Sequence, residues 1–143
     1  MRLVVDTSVP VGELLRQSDR DRLGDDRLEL FLPAHMWDGV RVELPRRIAA
    51  FVRRRGLAAA IGEELSQLCI DAIETNVVVL DEAIYSALED EARARSLRDP
   101  ADWPVVATAL ALSADIWTND NDFLGTGVGT WTTETLRAWL GRP

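Results

Sequence analysis

Five short apolar runs divide the chain, and each is bounded by polar or turn-forming residues. They cover residues 2–5, 28–33, 76–80, 114–118 and 127–132. Short apolar runs of this kind are typical of strands buried on both faces of a parallel sheet. We therefore predict a sheet of about five strands.

The segments between these runs have the apolar spacing of helices. The first helix is expected to begin near Thr7 or Ser8, with Pro10 in its first turn. The remaining helices are expected over residues 34–56, 57–73, 81–96, 102–113 and 133–140. Pro45 is expected to divide the second helix into two segments, and Gly56 to end it.

The alternation of strands and helices predicts the α/β class. The specific prediction is a single-domain, three-layer α/β/α sandwich with a central parallel sheet, spanning residues 1–143. The helix over 57–73 is expected to bury an apolar stripe at positions 61, 65, 68, 69 and 73.

The amino-acid composition limits which kinds of site the chain can form. The formal net charge is −8, the 16 basic residues are all arginine, and His35 and Cys69 are the single histidine and cysteine. An internal disulfide and a cysteine metal cluster are thereby excluded. No apolar run approaches the length of a membrane span, so a cytoplasmic protein is expected.

Several carboxylates follow the predicted strands. Asp6 follows the first strand, and "TNDND" (118–122) places Asp120 and Asp122 after the fourth. The carboxyl ends of parallel strands lie on one edge of a sheet, where ligands of open α/β sheets bind. We therefore expect these acids to share one pocket.

Each acid also has a purely structural interpretation. Asp6, Asp99 and Asp102 could cap helices, since the latter two precede the helix starts "DPA" and "DWP". Asp120 and Asp122 could form an Asx-turn. Glu43 could be an ordinary surface glutamate, and the nearby Asp38 is an alternative second acid.

Taken together, converging carboxylates would repel one another unless protons or cations compensate them. Oxygen ligands without histidine or cysteine suit Mg²⁺ or Mn²⁺. One or two such ions could activate a water and stabilise the leaving oxygen of a phosphodiester.

Four segments resemble the PIN-domain ribonucleases in their order along the chain. They are "VVDTS", the helical glutamate in "VRVELPRRI", "RDPADWPVVATALAL" and "IWTNDNDFLGTG". The size and layout look like VapC-type toxins of bacterial toxin–antitoxin pairs. The resemblance implies a PIN-like fold, Mg²⁺- or Mn²⁺-dependent RNA cleavage, an antitoxin partner and a homodimer.

The resemblance also implies roles for individual residues. Its acidic quartet corresponds to Asp6, Glu43, Asp102 and Asp120. Asp99 and Asp122 would be auxiliary metal-binding acids, and Thr7, Ser8 and Thr118 would orient carboxylates or a water. Candidate contacts to RNA phosphates are Arg46, Arg47, Arg53 and Arg54, and Trp37 could stack on a base.

Two other functions fit parts of the pattern. A non-catalytic PIN-like module acting through a partner is disfavoured because no acid of the quartet is missing. A phosphoaspartate phosphatase using Asp6 is disfavoured because those enzymes rely on a lysine, which this chain lacks. The function predicted from the sequence is therefore a metal-dependent endoribonuclease.

Overall fold

The computed structural model of the protein describes residues 1–142, so Pro143, the last residue of the predicted domain, lies outside it. Five strands form one parallel sheet in the order β3-β2-β1-β4-β5. The strands are β1 (Arg2–Val5), β2 (Glu29–Pro33), β3 (Val77–Leu80), β4 (Asp115–Trp117) and β5 (Thr130–Trp131). With helices packed around this sheet, the predicted α/β/α fold with a central parallel sheet of five strands is confirmed.

Seven α-helices accompany the strands within residues 1–142, and the last of them follows β5. They are α1 (Ser8–Glu13), α2 (Gln17–Arg22), α3 (Ala34–Arg54), α4 (Ala59–Asn76), α5 (Glu89–Arg95), α6 (Trp103–Leu112) and α7 (Thr133–Leu140). The helix α2 was not predicted separately from α1. The centre of the sheet, β1 with β4, is the most deeply buried part, and Val4 and Ile116 are fully inaccessible.

Pro45 does not divide α3, contrary to the prediction. The helix runs unbroken from Ala34 to Arg54 with Pro45 inside it, and ends before Gly56, whose φ is +67°. Its buried stripe continues on both sides of the proline, at Leu44 and Ile48. The free energy gained by burying this apolar stripe exceeds the cost of the one backbone hydrogen bond that proline cannot donate.

We expect Pro45→Ala to stabilise the protein by about 1–3 kcal/mol, because proline is disfavoured by about that much in a helix interior. Chemical denaturation of the variant and the wild type would measure the difference in the free energy of unfolding. A variant less stable than the wild type would mean that contacts of the proline ring outweigh the lost hydrogen bond.

Residues 81–96 are not one helix, which corrects a second prediction. Two short 3₁₀ turns, Glu82–Ile84 and Ser86–Leu88, come before α5. Between them lies Tyr85, which is fully buried, with its ring centroid 5.9 Å from that of Trp103. The helical pattern is interrupted where Tyr85 packs into the core against Trp103, so tertiary packing overrides the local helical pattern.

The buried stripe of α4 also differs from the prediction. Cys69 and Ile73 are buried as expected, but Ile61 and Leu68 are 44% and 47% exposed. A Cβ on Gly62 would lie 3.3 Å from Val52 Cγ2, so α4 approaches α3 closely at this glycine. The inward face of α4 therefore carries Gly62, Cys69 and Ile73, and part of the predicted stripe lies on the surface.

Among the described residues, no helix combines the length and the apolar content needed to cross a membrane.

Candidate metal centre

An open cleft of about 320 Å³ lies at the carboxyl edge of the sheet, beyond β1 and β4. We call it the acidic cleft, and its lining residues are Asp6, Thr7, Ser8, Glu43, Arg47, Asp99, Asp102 and Asp120. The structure therefore brings the four acids of the predicted quartet to one place. A larger groove of about 500 Å³ between α3 and α4 is mainly apolar and lacks this convergence of acids.

Asp6 is fixed at the end of β1 by hydroxyl groups. It is 4% exposed, and its Oδ2 accepts hydrogen bonds from Ser8 Oγ at 2.6 Å and from Thr118 Oγ1 at 2.9 Å. The backbone N–H of Ser8 also donates to Oδ2, at 3.3 Å. These donors hold one carboxylate oxygen and leave Oδ1 as the atom available to the cleft. Thr7 lines the cleft beside them.

The loop after β4 carries Asp120 and Asp122 in a turn. Asp120 Oδ1 accepts from the backbone N–H of Asp122 at 3.0 Å, which is the Asx-turn that the sequence suggested. Thr118 Oγ1 accepts from the backbone N–H of Asp120 at 3.0 Å. Because the turn uses one oxygen of Asp120, the other can still serve the cleft.

Asp99 precedes the short 3₁₀ turn Pro100–Asp102 before α6, and Asp102 is the last residue of that turn. Asp99 caps that turn, since its Oδ1 accepts from the backbone N–H of Ala101 at 3.0 Å. Asp102 occupies the N-cap position of α6, but its side chain makes no capping hydrogen bond. Its carboxylate is therefore not engaged in a structural role at the helix start.

Among the acids of the cleft, Asp102 has a clearly raised pKa. Burial, followed by the charges of Asp6, Asp99, Asp120 and Asp122, raises the pKa of Asp102 to about 7. Within residues 1–142, no arginine forms a salt bridge with Asp6, Asp99, Asp102 or Asp120. These four aspartates thus carry negative charge that no described arginine neutralises by a salt bridge, whereas Glu43 at the same cleft pairs with Arg47.

A second set of acids overlaps the first through Asp102. Carboxylate oxygens of Asp99, Asp102 and Asp122 all lie within 4.8 Å of one another. Asp122 does not line the acidic cleft itself but stands at its outer side, where its Oδ1 is 3.6 Å from Arg98 Nε. Closely spaced carboxylate oxygens without histidine or cysteine fit a hard divalent cation.

Glu43 enters the cleft from α3, whereas Asp38 is exposed and is not among the cleft-lining residues described. Glu43 pairs with Arg47 one turn later on the same helix, with Oε1 3.0 Å from Arg47 Nε. Both side chains are largely exposed, so this pair adds little to stability. The geometry thus favours Glu43 over Asp38 as the acid that α3 contributes.

The candidate RNA contacts are dispersed. Arg47 lines the cleft and Arg46 is exposed beside it. Arg53 lines the α3–α4 groove instead, about 9 Å further along α3 than Arg47 at about 1.5 Å per residue, and Arg54 is exposed next to it. The suggestion that Trp37 stacks on a base is wrong, because its side chain is only 8% exposed and packs in the core.

Sequence reasoning assigned no role to Asn119, which lies between Thr118 and Asp120. Its side chain binds Glu13 on α1 and Thr133 on α7. Both partners are distant in sequence, and only the fold brings them together. In the sequence, Asn119 stands out only as an asparagine in a loop that carries acids. Asparagine is common in turns, so its presence there does not indicate a function.

A family model described as "PIN domain" matches residues 4–141, which is almost the whole chain. A search of curated proteins found no match to this chain. The matched range includes every residue that lines the acidic cleft.

Proposed function

This chain belongs to the PIN domain family, and on that premise we propose that it is a metal-dependent endoribonuclease that hydrolyses phosphodiester bonds of RNA. PIN domains are in general metal-dependent nucleases. The choice of RNA follows from the resemblance of the acid-bearing segments to PIN-domain ribonucleases.

One observation carries the proposal: carboxylates from separate parts of the chain converge on Asp102, and among the described residues no arginine forms a salt bridge with Asp6, Asp99, Asp102 or Asp120. A merely structural cluster would be neutralised by arginine, as the cluster of Asp19 with Arg22 and Arg137 is elsewhere in the molecule. The acidic cleft remains open and charged instead. This arrangement supports a site that takes its positive charge from bound Mg²⁺ or Mn²⁺.

The proposed ligands of one or two ions are Asp6, Glu43, Asp102 and Asp120, with Asp99 and Asp122 as auxiliary acids. Bound there, a divalent ion would supply Lewis acidity and lower the pKa of an attacking water. Ser8 and Thr118 hold Oδ2 of Asp6, so its other oxygen has a fixed direction.

The protonation of Asp102 and the position of Arg47 both bear on the proposed reaction. Asp102 exchanges its proton near neutral pH, so it ionises fully once positive charge enters the cleft. Arg47 is held at the rim by Glu43, and its planar guanidinium can donate two N–H groups to a phosphate. We propose this contact for the RNA backbone beside the scissile bond, with Arg46 as a second cation.

The VapC-like size and layout lead to a finer proposal. We propose that the protein is the toxin of a toxin–antitoxin pair, acts as a homodimer in the cytoplasm, and is held inactive by an antitoxin protein. Co-expression with the product of an adjacent small gene would test the partner, because an antitoxin should co-purify and suppress cleavage.

The direct test is incubation of total cellular RNA with the purified protein in Mg²⁺, in Mn²⁺ and in EDTA. We expect discrete RNA fragments with either ion and intact RNA in EDTA, because the carboxylates alone offer no Lewis acid. Double-stranded DNA in parallel reactions is expected to stay intact. Fragment ends would then locate the cleaved sequence.

Cleavage that persists in EDTA would contradict the metal requirement. DNA cleavage without RNA cleavage would contradict the substrate class. A folded protein that binds the ion and cuts neither polymer would instead favour the non-catalytic module acting through a partner.

A further inference from the structure

The side chain of Asn119 ties the loop after β4 to two helices. Its Oδ1 accepts a hydrogen bond from the backbone N–H of Thr133 at 2.9 Å. Its Nδ2 donates to Thr133 Oγ1 at 3.1 Å and to Glu13 Oε1 at 3.0 Å. Glu13 is the last residue of α1 and Thr133 the first of α7. One amide therefore joins the loop, the end of α1 and the start of α7.

These partners require an amide at this position. The backbone N–H of Thr133 can only donate, and an ionised Glu13 carboxylate can only accept. An aspartate at 119 could still accept from Thr133, but it would place a second negative charge next to Glu13. Alanine would lose all of these hydrogen bonds.

The backbone at 119 is linked to the acids of the cleft. The N–H of Asn119 donates to Ser8 Oγ at 3.3 Å, and Ser8 Oγ in turn donates to Asp6. On either side of Asn119, Thr118 donates to Asp6, and the N–H of Asp120 donates to Thr118 Oγ1. Any shift of this loop therefore moves Asp120 relative to Asp6.

We propose that Asn119 is a positioning residue that sets the spacing of Asp6 and Asp120 and thereby the affinity of the acidic cleft for its divalent cation. The inference rests on the proposed function, since it takes that cation as the ligand of the cleft. Asn119 itself is not among the described residues that line the cleft. It acts only through Thr118, Ser8 and the direction of the loop.

The test measures RNA cleavage by Asn119→Ala as a function of Mn²⁺ concentration. Loss of a group that orients metal ligands typically costs about 10–100-fold in metal affinity, so half-saturating Mn²⁺ should rise by that factor. At saturating Mn²⁺, kcat and the KM for RNA should return to within about threefold of the wild type.

The same loop supplies a matched control. Asn121 is exposed, and its side chain makes no hydrogen bond with a described residue, so Asn121→Ala should keep the wild-type Mn²⁺ dependence. Asn119→Asp is the second variant, and repulsion from Glu13 should weaken Mn²⁺ binding in it as well. Calorimetric titration with Mn²⁺ gives the affinity of each variant without reference to turnover.

The outcomes separate two failures. If the wild type binds Mn²⁺ and cuts RNA while Asn119→Ala shows an unchanged Mn²⁺ dependence, the positioning role is overturned and the proposed function stands. A loss of activity that saturating Mn²⁺ does not restore also overturns it. A wild type that neither binds Mn²⁺ nor cuts RNA overturns the proposed function and this inference with it.

Discussion

Asp6→Asn is expected to lower the rate of metal-dependent RNA cleavage by more than about 100-fold, because groups that only orient metal ligands already cost about 10–100-fold when lost. Asp6 has a more direct role in our proposal, since its Oδ1 would be a ligand of the cation. The substitution keeps the shape of the side chain and removes its charge at a position that is 4% exposed. Initial rates at saturating Mn²⁺ measure the effect.

Asp38→Asn provides the matched control for this variant. Asp38 is an exposed acid on α3, the helix that carries Glu43, and it does not belong to the described lining of the cleft. The Asp38→Asn variant should therefore cut RNA at the wild-type rate, whereas Glu43→Gln should cut RNA more slowly. A folded Asp6→Asn protein with near wild-type activity would remove Asp6 from the site.

Asp102→Asn is expected to stabilise the metal-free protein at about pH 8 by about 2–4 kcal/mol. The pKa of Asp102 is raised from 3.8 to about 7 in the folded protein by burial and by the neighbouring carboxylates. A raised carboxyl pKa contributes stability that is fully present below about pH 4 and is lost as the pH rises through about 7. The full shift corresponds to about 4 kcal/mol, and solvent at the open cleft reduces it.

The comparison requires unfolding curves in EDTA at several pH values. The free energies of unfolding of wild type and Asp102→Asn should be closest near pH 4 and diverge up to about pH 8, because only the wild type acquires the unfavourable charge. Asp90, in α5 on the surface, supplies the control substitution Asp90→Asn. If the free energies of unfolding of Asp102→Asn and the wild type differ by the same amount at every pH, the neighbouring carboxylates and burial do not raise the pKa of Asp102.

The sheet could be predicted from the sequence because its strands are short apolar runs, and acids follow the first and the fourth of them. The predicted boundaries of β1 agree with the structure, and Asp6 and Asp120 lie at the sheet edge that the parallel topology requires. Membership of the PIN domain family is likewise confirmed. The catalytic roles of the individual acids stay predictions.

The errors arose where tertiary packing overrides a local rule. Pro45 was given its usual effect on a helix, although the buried stripe of α3 continues past it. Residues 81–96 have a helical pattern, but burial of Tyr85 bends the chain there. The contact between Asn119 and Glu13 joins residues far apart in the chain, so no local pattern could reveal it.

Calorimetric titration of Mn²⁺ into the wild type and into an Asp6→Asn/Asp120→Asn double variant tests the central claim most directly, because it measures the cation on which every proposed step depends. We predict saturable binding to the wild type with a stoichiometry of about one or two ions, and little or no binding to the folded double variant. Equal binding to both proteins would contradict the claim that the acidic cleft holds the metal.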